Sequence, residues 1–280
     1  MQLKAGSDLV RRQNRSLVIA ALRRDGVLSR TELTAATALS PSTVSAIAAD
    51  LMQEGVLVEQ PAFAATGIRR GRPQIAMALD PAKAHVVSVE LTHNQLSVGI
   101  SDYTGKAVNE LDDRFSTASC SGEELLQRCS GLIRLALANA RVMQPDSIVM
   151  AVQGRTDAEG HDLLWSPIAA GRNVHLSAYL TSEFGCPVKV ANDCSMIAVA
   201  LRWLEPERYG RDCLAVLLSH GIGMGLSLNG QLFAGRSSSA AEFGHMLYKH
   251  NGALCRCGSR GCIEAYAGDY AIWRSAHGLP

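Results

Sequence analysis

The hydrophobic pattern of the first stretch has a helical period. Over residues 14–24, Leu17, Val18, Ala21 and Leu22 share one face and Gly26 lies just beyond, so a helix is predicted there. Ser29-Arg30-Thr31-Glu32 reads as a capping box that opens a second, short helix with Leu33 and Ala36 inward. A turn at Thr37 to Leu39 follows. Ser40 then sits as an N-cap and Pro41 at the first position of a third helix, which runs to about Glu54 and stops at Gly55. Its apolar stripe is Val44, Ile47, Ala48 and Leu51. The opposite face, Ser42, Thr43, Ser45 and Ala46, is short and mostly polar. Beyond it the period drops to two: residues 56–59 and 74–79 alternate as strands, with Ile75, Met77 and Leu79 on one face.

From Ala84 the pattern changes. Residues 85–90 and 95–102 read as a hairpin of strands, 123–141 as a helix, and 147–152 as a strand ending at Gly154. Residues 187–190 form a strand ending at Asn192-Asp193, followed by a helix over 195–204. Strands at 214–218 and 226–228 flank a glycine-rich turn, Gly221-Ile222-Gly223-Met224-Gly225, and a last helix is expected over 264–275. Strands alternating with helices indicate an α/β fold. Ligands of such sheets lie at the carboxyl ends of strands, where Gly154, Asn192 and Asp193 fall. The two patterns divide the chain into a helical head, residues 1–80, and an α/β domain, residues 81–280.

Composition adds little to this, whereas charge adds a partner. At 280 residues, 47% hydrophobic and mean hydropathy +0.06, the chain has an ordinary soluble composition and no apolar run of membrane-spanning length. Net charge is only +1, but residues 1–80 hold ten Lys/Arg against seven Asp/Glu, and 81–280 hold seventeen against nineteen. Arg11, Arg12, Arg15, Arg23, Arg24 and Arg30 cluster early; Arg69, Arg70 and Arg72 cluster late. Two basic clusters on a small domain suggest a phosphate backbone, although a solvated face would give the same count. Three helices with this turn match the helix-turn-helix layout. A third helix with a bare outer face can enter a major groove through Ser42, Thr43, Ser45 and Ala46; a plain three-helix bundle is the bland alternative. Between the two strands lies Thr66-Gly67-Ile68-Arg69-Arg70-Gly71-Arg72-Pro73, a wing that places Arg70 and Arg72 for a minor groove. An interdomain linker would look similar locally.

The densest chemistry is near the C-terminus. Glu242-Phe243-Gly244-His245 is followed by Cys255-Arg256-Cys257-Gly258-Ser259-Arg260-Gly261-Cys262-Ile263-Glu264. His245, Cys255, Cys257 and Cys262 have the spacing of a closed Cys3His site, which suits a structural zinc. The glycines let the chain turn between thiolates, and Glu242 and Glu264 flank the cluster. Buried free thiols are the alternative, and a disulfide leaves one thiol over. The other five cysteines, Cys120, Cys129, Cys186, Cys194 and Cys213, are scattered, and no signal peptide precedes them, a pattern that suits a reducing cytoplasm.

The stretch from the glycine-rich turn to Glu264 resembles the ROK family, which takes in sugar-responsive repressors and sugar kinases. The matching residues are Gly221-Ile222-Gly223, Gly225-Leu226, Gly235, Ala241, Gly244, His245 and the Cys255–Glu264 motif. The head, with Ser29-Arg30, Val44-Ser45 and Arg70-Gly71-Arg72-Pro73, is similar to the repressor branch. The resemblance implies a winged helix-turn-helix followed by an actin/hexokinase-like two-lobed domain. It further implies a sugar pocket lined by Gly154, Asn192, Asp193, Glu242, His245 and Glu264, with Asp193 at the base position of the kinases. A ring of such acceptors suits sugar hydroxyls. Three departures matter. Glu90-Leu91-Thr92-His93-Asn94 lacks the glycine of the kinase phosphate loop, so the expectation is a non-enzyme. Gln153 and Ile168 replace a usual Pro and Asn. The chain stops at Pro280, so the second lobe is expected to be incomplete and to expose apolar surface. The implied protein is a cytoplasmic repressor of carbohydrate-utilisation genes, with zinc, an operator duplex, a small carbohydrate effector and a homodimer or higher oligomer. A sugar kinase with an appended head is the alternative.

Overall fold

The computed structural model describes residues 2–60, 75–157, 159–168, 173–219, 221–235 and 242–278. They fall into two compact units, one of residues 1–85 with 101–107, the other of 86–100 with 108–280.

In the first unit, α1 (Gln2–Asp25) leads into a two-residue strand, β1 (Leu28–Ser29), then α2 (Arg30–Thr37) and α3 (Pro41–Gln53). The capping box forms: the Ser29 hydroxyl accepts the Glu32 N–H, and Glu32 accepts the Ser29 N–H at 2.8 Å. Ser40 caps α3 by accepting the Thr43 N–H at 3.2 Å, and Pro41 occupies its first turn. These local bonds satisfy amide donors that helix starts leave open. Strands β2 (Leu57–Gln60) and β3 (Ala76–Leu79) pair antiparallel, and β1 adds to the other edge of β3. The core is Val18, Leu22, Leu33, Val44, Ile47, Ala48, Leu51, Val56, Leu57, Met77 and Leu79.

Two details of patterning differ from expectation. Ala36 is exposed, because α2 is short and only Leu33 is covered. Ile75 is 46% exposed and precedes β3, whose four residues are all buried. A central strand with small alanines shows no polar face, so alternation misleads there.

The second unit is built on a five-stranded sheet in the order β10-β7-β4-β5-β6. The members are β4 (His85–Thr92), β5 (Gln95–Asp102), β6 (Ala107–Arg114), β7 (Ser147–Val152) and β10 (Val188–Asn192). Strand β6 was absent from the sequence reading, because its polar run Asn109-Glu110-Leu111-Asp112-Asp113 marks an edge and not a core strand. Strands β4, β7 and β10 run parallel. Helices α4 (Gly122–Ala140) and α5 (Leu176–Phe184) supply Ile133, Leu137, Leu176 and Leu180 to a core with Val89, Ile100, Ile148 and Val190. A short pair, β8 (Arg155–Thr156) and β9 (Leu163–Trp165), follows β7.

After β10 come α6 (Asp193–Leu204), α7 (Pro206–Tyr209) and the antiparallel sheet β11 (Cys213–Leu218), β12 (Ile222–Leu228) and β13 (Gln231–Leu232). The glycine-rich stretch is therefore mostly strand and not turn. Its glycines serve close approach: a Cβ on Gly223 would collide with Cys194 Sγ, and one on Gly225 with the Cys194 carbonyl, both on α6. On β11, Leu214, Val216 and Leu218 are exposed, Leu218 at 67%. The last helical stretch is two helices, α8 (Glu264–Ala267) and α9 (Asp269–Ala276), divided at the extended Gly268. No helix among the described residues is long and apolar enough to cross a membrane.

Candidate functional site

On the head, α3 presents Ser42, Ser45 and Ala46 as exposed residues, with Thr43 half-buried. The hydroxyls of Ser42 and Thr43 lie 2.9 and 2.8 Å from the Ser40 hydroxyl, so both are tied to the cap, whereas Ser45 and Ala46 stand one turn further along. The early arginines are more engaged than their count suggests. Arg11 pairs with Asp50 at 2.7 Å, Arg15 with Glu54, and Arg24 with Asp25 at 2.8 Å. Exposed pairs of this kind are weak, so a polyanion competes for the same guanidiniums. Arg70 and Arg72 lie outside the described residues.

In the second unit, the carboxyl ends of the parallel strands stand side by side, with Val152 of β7 opposite Asn192 of β10 and Leu91 of β4. A cavity of about 600 Å³ opens there. Gly154, Asn192, Asp193, Glu242, His245 and Glu264 all line it. Gly154 and Asn192, 38 positions apart, thus meet because parallel strands end at one level, and Glu264 joins them from the start of α8. Glu90, Thr92, Gln153, Trp165 and Pro167 also line it and were not singled out from sequence as site residues. Ile168, by contrast, is packed into the hydrophobic core.

Each polar group has a distinct condition. Asn192, 8% exposed, donates to the Gly154 carbonyl at 3.0 Å and accepts the Ser195 N–H at 3.1 Å, which caps α6. One N–H and one lone pair remain for a ligand. Burial raises the Asp193 carboxyl above its ordinary range, against the opposing bond from the Cys194 N–H at 2.8 Å. Burial also raises Glu242, while His245 and Arg155 pull it back. Arg155 follows Gly154 and opens β8, and its Nε is buried with no hydrogen-bond partner among the described residues.

Beside the cavity, the His245, Cys255, Cys257 and Cys262 donor atoms all lie within 4.8 Å of one another. Cys255 and Cys262 are buried. The loop closes through left-handed glycines, Gly258 at φ +89° and Gly261 at φ +86°, with the Cys255 N–H donating to Ser259 O at 2.8 Å. In a tetrahedral zinc shell two sulfurs stand about 3.8 Å apart, and a sulfur and a ring nitrogen about 3.6 Å apart. Cys257 Sγ to Cys262 Sγ is 3.8 Å, and Cys255 Sγ to His245 Nδ1 is 3.6 Å. The donor set fits such an ion.

Two glutamates join the cluster to the cavity. His245 Nε2 lies 3.6 Å from Glu242, the carboxylate–histidine arrangement that orients a metal-bound imidazole. Glu264, 6% exposed, accepts the Ile222 N–H at 3.1 Å through Oε2 and lies 3.8 Å from Cys255 Sγ through Oε1. Tyr270, which no sequence motif had marked, places its hydroxyl 3.7 Å from Cys255 Sγ and 3.5 Å from Glu264.

Known proteins are similar to this chain in sequence and fold. The ROK family pattern matches residues 67–278, and a winged helix-turn-helix DNA-binding pattern matches 11–58. A xylose repressor of Caldicellulosiruptor bescii is 24% identical over 267 residues, covering 94% of this chain and 66% of that protein. The DNA-binding transcriptional dual regulator NagC of Escherichia coli K12 is 26% identical over 275 residues, covering 95% and 64%. This chain therefore spans about two thirds of the length of those relatives. Among solved structures, a ROK family transcriptional regulator homologous to E. coli MLC superposes with TM-score 0.74 at 23% identity, over 96% of this chain and 67% of the other. A ROK glucokinase from Streptomyces griseus, in complex with glucose and AMPPNP, superposes with TM-score 0.59 at 25% identity, over 69% and 60%. With the family pattern running through cavity and cysteine loop alike, the chain belongs to the ROK family.

Proposed function

We propose that this chain is a DNA-binding transcriptional regulator, a repressor of carbohydrate-utilisation genes whose operator affinity is set by a small sugar. Residues 1–80 act as the head and 81–280 as the sensor. The observation that carries this reading is the cavity itself, where Gly154, Asn192, Asp193, Glu242, His245 and Glu264 converge in a chain that also carries a winged head. Buried acceptors of this kind bind a ring of hydroxyls and reject analogues that leave them unpaired. On the head, Ser42, Thr43, Ser45 and Ala46 read base edges while Arg70 and Arg72 of the wing hold the backbone. A homodimer places two heads on a palindrome. A cytoplasmic location suits a DNA partner and a chain whose eight cysteines are free thiols.

The cluster holds one zinc through His245, Cys255, Cys257 and Cys262. Four protein donors leave no open position, so the ion shapes the loop and contributes folding energy, with no step of chemistry. The loop in turn aims Glu242 and Glu264 into the cavity.

Selection of bound sequences from a random duplex pool, then titration of that complex with xylose, N-acetylglucosamine and other sugars, tests the reading. Release by at least one sugar is expected; binding indifferent to every sugar defeats the sensor assignment. One observation favours a second reading, a sugar kinase with an appended head: Asp193 lies in the cavity at the kinase base position. Against it, the turn after β4 carries Thr92-His93-Asn94 where a phosphate loop needs glycine. Turnover of ATP with any sugar of the panel would establish the kinase.

A further inference from the structure

We propose that Tyr270 is a positioning residue that carries the state of the cysteine cluster to the floor of the cavity. The inference rests on the metal reading above and concerns a residue that lines neither the metal shell nor the cavity.

The chain of contacts is short. The Tyr270 hydroxyl stands 3.7 Å from Cys255 Sγ and 3.5 Å from Glu264 Oε1. Those two acceptors are themselves 3.8 Å apart. Through its other oxygen, Glu264 accepts the N–H of Ile222 at 3.1 Å. Ile222 opens β12 between Gly221 and Gly223, and all three line the cavity. Without a metal, the loop that presents Cys255 loses the ligand energy that folds it, and Glu264 loses its neighbours on that side. A metal-bound Cys255 is a thiolate and has no proton to give. Two anions then face one another at close range in a buried place, which is costly unless a donor lies between them. The Tyr270 phenol, within reach of both atoms, supplies that donor. Its ring is held by the Arg256 guanidinium, stacked 4.0 Å from the centroid, which also brings positive charge to the pair.

With the phenol present, Glu264 keeps its place beside the metal-bound thiolate and its grip on the Ile222 amide. Without it, the carboxylate swings away from the sulfur and releases that amide. Cluster and cavity floor are thus coupled through one hydroxyl.

The experiment uses the full chain loaded with zinc, and reads zinc per chain by elemental analysis and hydrogen–deuterium exchange of the peptide containing Ile222. In the native protein, stripping the zinc with a chelator is expected to speed exchange at Ile222 about tenfold, the worth of one hydrogen bond to a charged group. Tyr270→Phe keeps the ring and all four ligands. It should still hold one zinc, yet exchange as fast when loaded as the stripped native protein does. Adding Glu264→Gln to Tyr270→Phe should restore slow exchange, because the amide group donates to the thiolate, removes the second anion and still accepts from Ile222. A merely structural tyrosine would not be rescued in this way. Loaded Tyr270→Phe with native protection at Ile222 overturns the inference. So does a double variant that stays unprotected. If Tyr270→Phe does not fold, Glu264→Gln alone decides: the inference requires its protection to survive in the loaded state. Native protein without zinc defeats the metal reading and this inference with it, whereas zinc present and exchange unmoved by chelation defeats the inference alone.

Discussion

The third helix of the head and the cavity of the second unit are specified in opposite ways. Every feature that builds α3 lies within fifteen residues of it: Ser40 as cap, Pro41 at the first turn, Val44, Ile47, Ala48 and Leu51 inward, Gly55 at the end. The cavity draws Gly154, Asn192, Glu242 and Glu264 from four separate stretches. Their polar groups also differ in how far they are spent. Ser45 and Ala46 stand exposed on the helix, while Asn192 and Glu264 are already bonded to the protein's own backbone. The proposed DNA-reading face is a local surface presented outward. The proposed sensing cavity is a set of distant groups held in place by their neighbours, and on that reading its response is open to control from the cluster beside it.

The strongest break between the two regions is expected at the cluster. Cys257→Ser removes one of four donors, roughly a quarter of the ~10–16 kcal/mol that such a shell supplies. Zinc should be lost on purification and sugar response with it, while DNA affinity without sugar stays unchanged. Elemental analysis and DNA titration check this; a full zinc complement in the variant would rule out the ligand set.

The reverse break is made in the head. Leu51 is fully buried, so Leu51→Ala should cost about 2–5 kcal/mol. Denaturant unfolding followed by circular dichroism should show the head melting early, with zinc content and sugar binding retained. Simultaneous loss of both would mean that the cavity depends on the head.

A smaller effect sharpens the DNA side. Arg70→Ala with Arg72→Ala should lower the slope of log affinity against log salt by about 1.8, two phosphate contacts' worth, on every sequence alike. Ser45→Ala should leave that slope alone and shift base preference at one position by about 1–3 kcal/mol. An unaltered slope in the arginine pair removes the wing from the interface.

The smallest effect is one of pH. Burial raises the Asp193 carboxyl. A carboxyl raised in the folded state adds stability below its unfolded value and loses it as pH rises through the folded value. Asp193→Asn should therefore be more stable than native protein at neutral pH, the gap closing as pH falls. Sugar hydroxyls donate to the ionised form, so native sugar affinity should weaken over the same fall, and that of Asp193→Asn should not. Calorimetric titration at several pH values reads both; parallel curves for the two proteins would take Asp193 out of the binding step.

Local signals made the helical head, the caps and the cysteine spacing legible without coordinates, since each depends on neighbours a few residues away. The family resemblance supplied the six cavity positions, which spacing alone leaves unjoined. What escaped was non-local. Strand β6 hid behind its polar edge, the expected alternation of β3 gave way to burial on both sides, and the glycine-rich stretch looked like a turn because its glycines answer to α6 and not to the strand itself. The early arginines counted as free charge until Asp50 and Glu54 came within reach.

The sequence by itself determined which residues cap, which face inward on each helix, and which four donors stand at ligand spacing, because short-range sterics and hydrogen bonding decide those. Only the tertiary structure decided that the parallel strands end at one level around a cavity. It also decided that His245 faces the cluster through one ring nitrogen and Glu242 through the other, and that Tyr270 lies between thiol and carboxylate. Those placements depend on how whole elements pack, and no local rule along the chain carries that information.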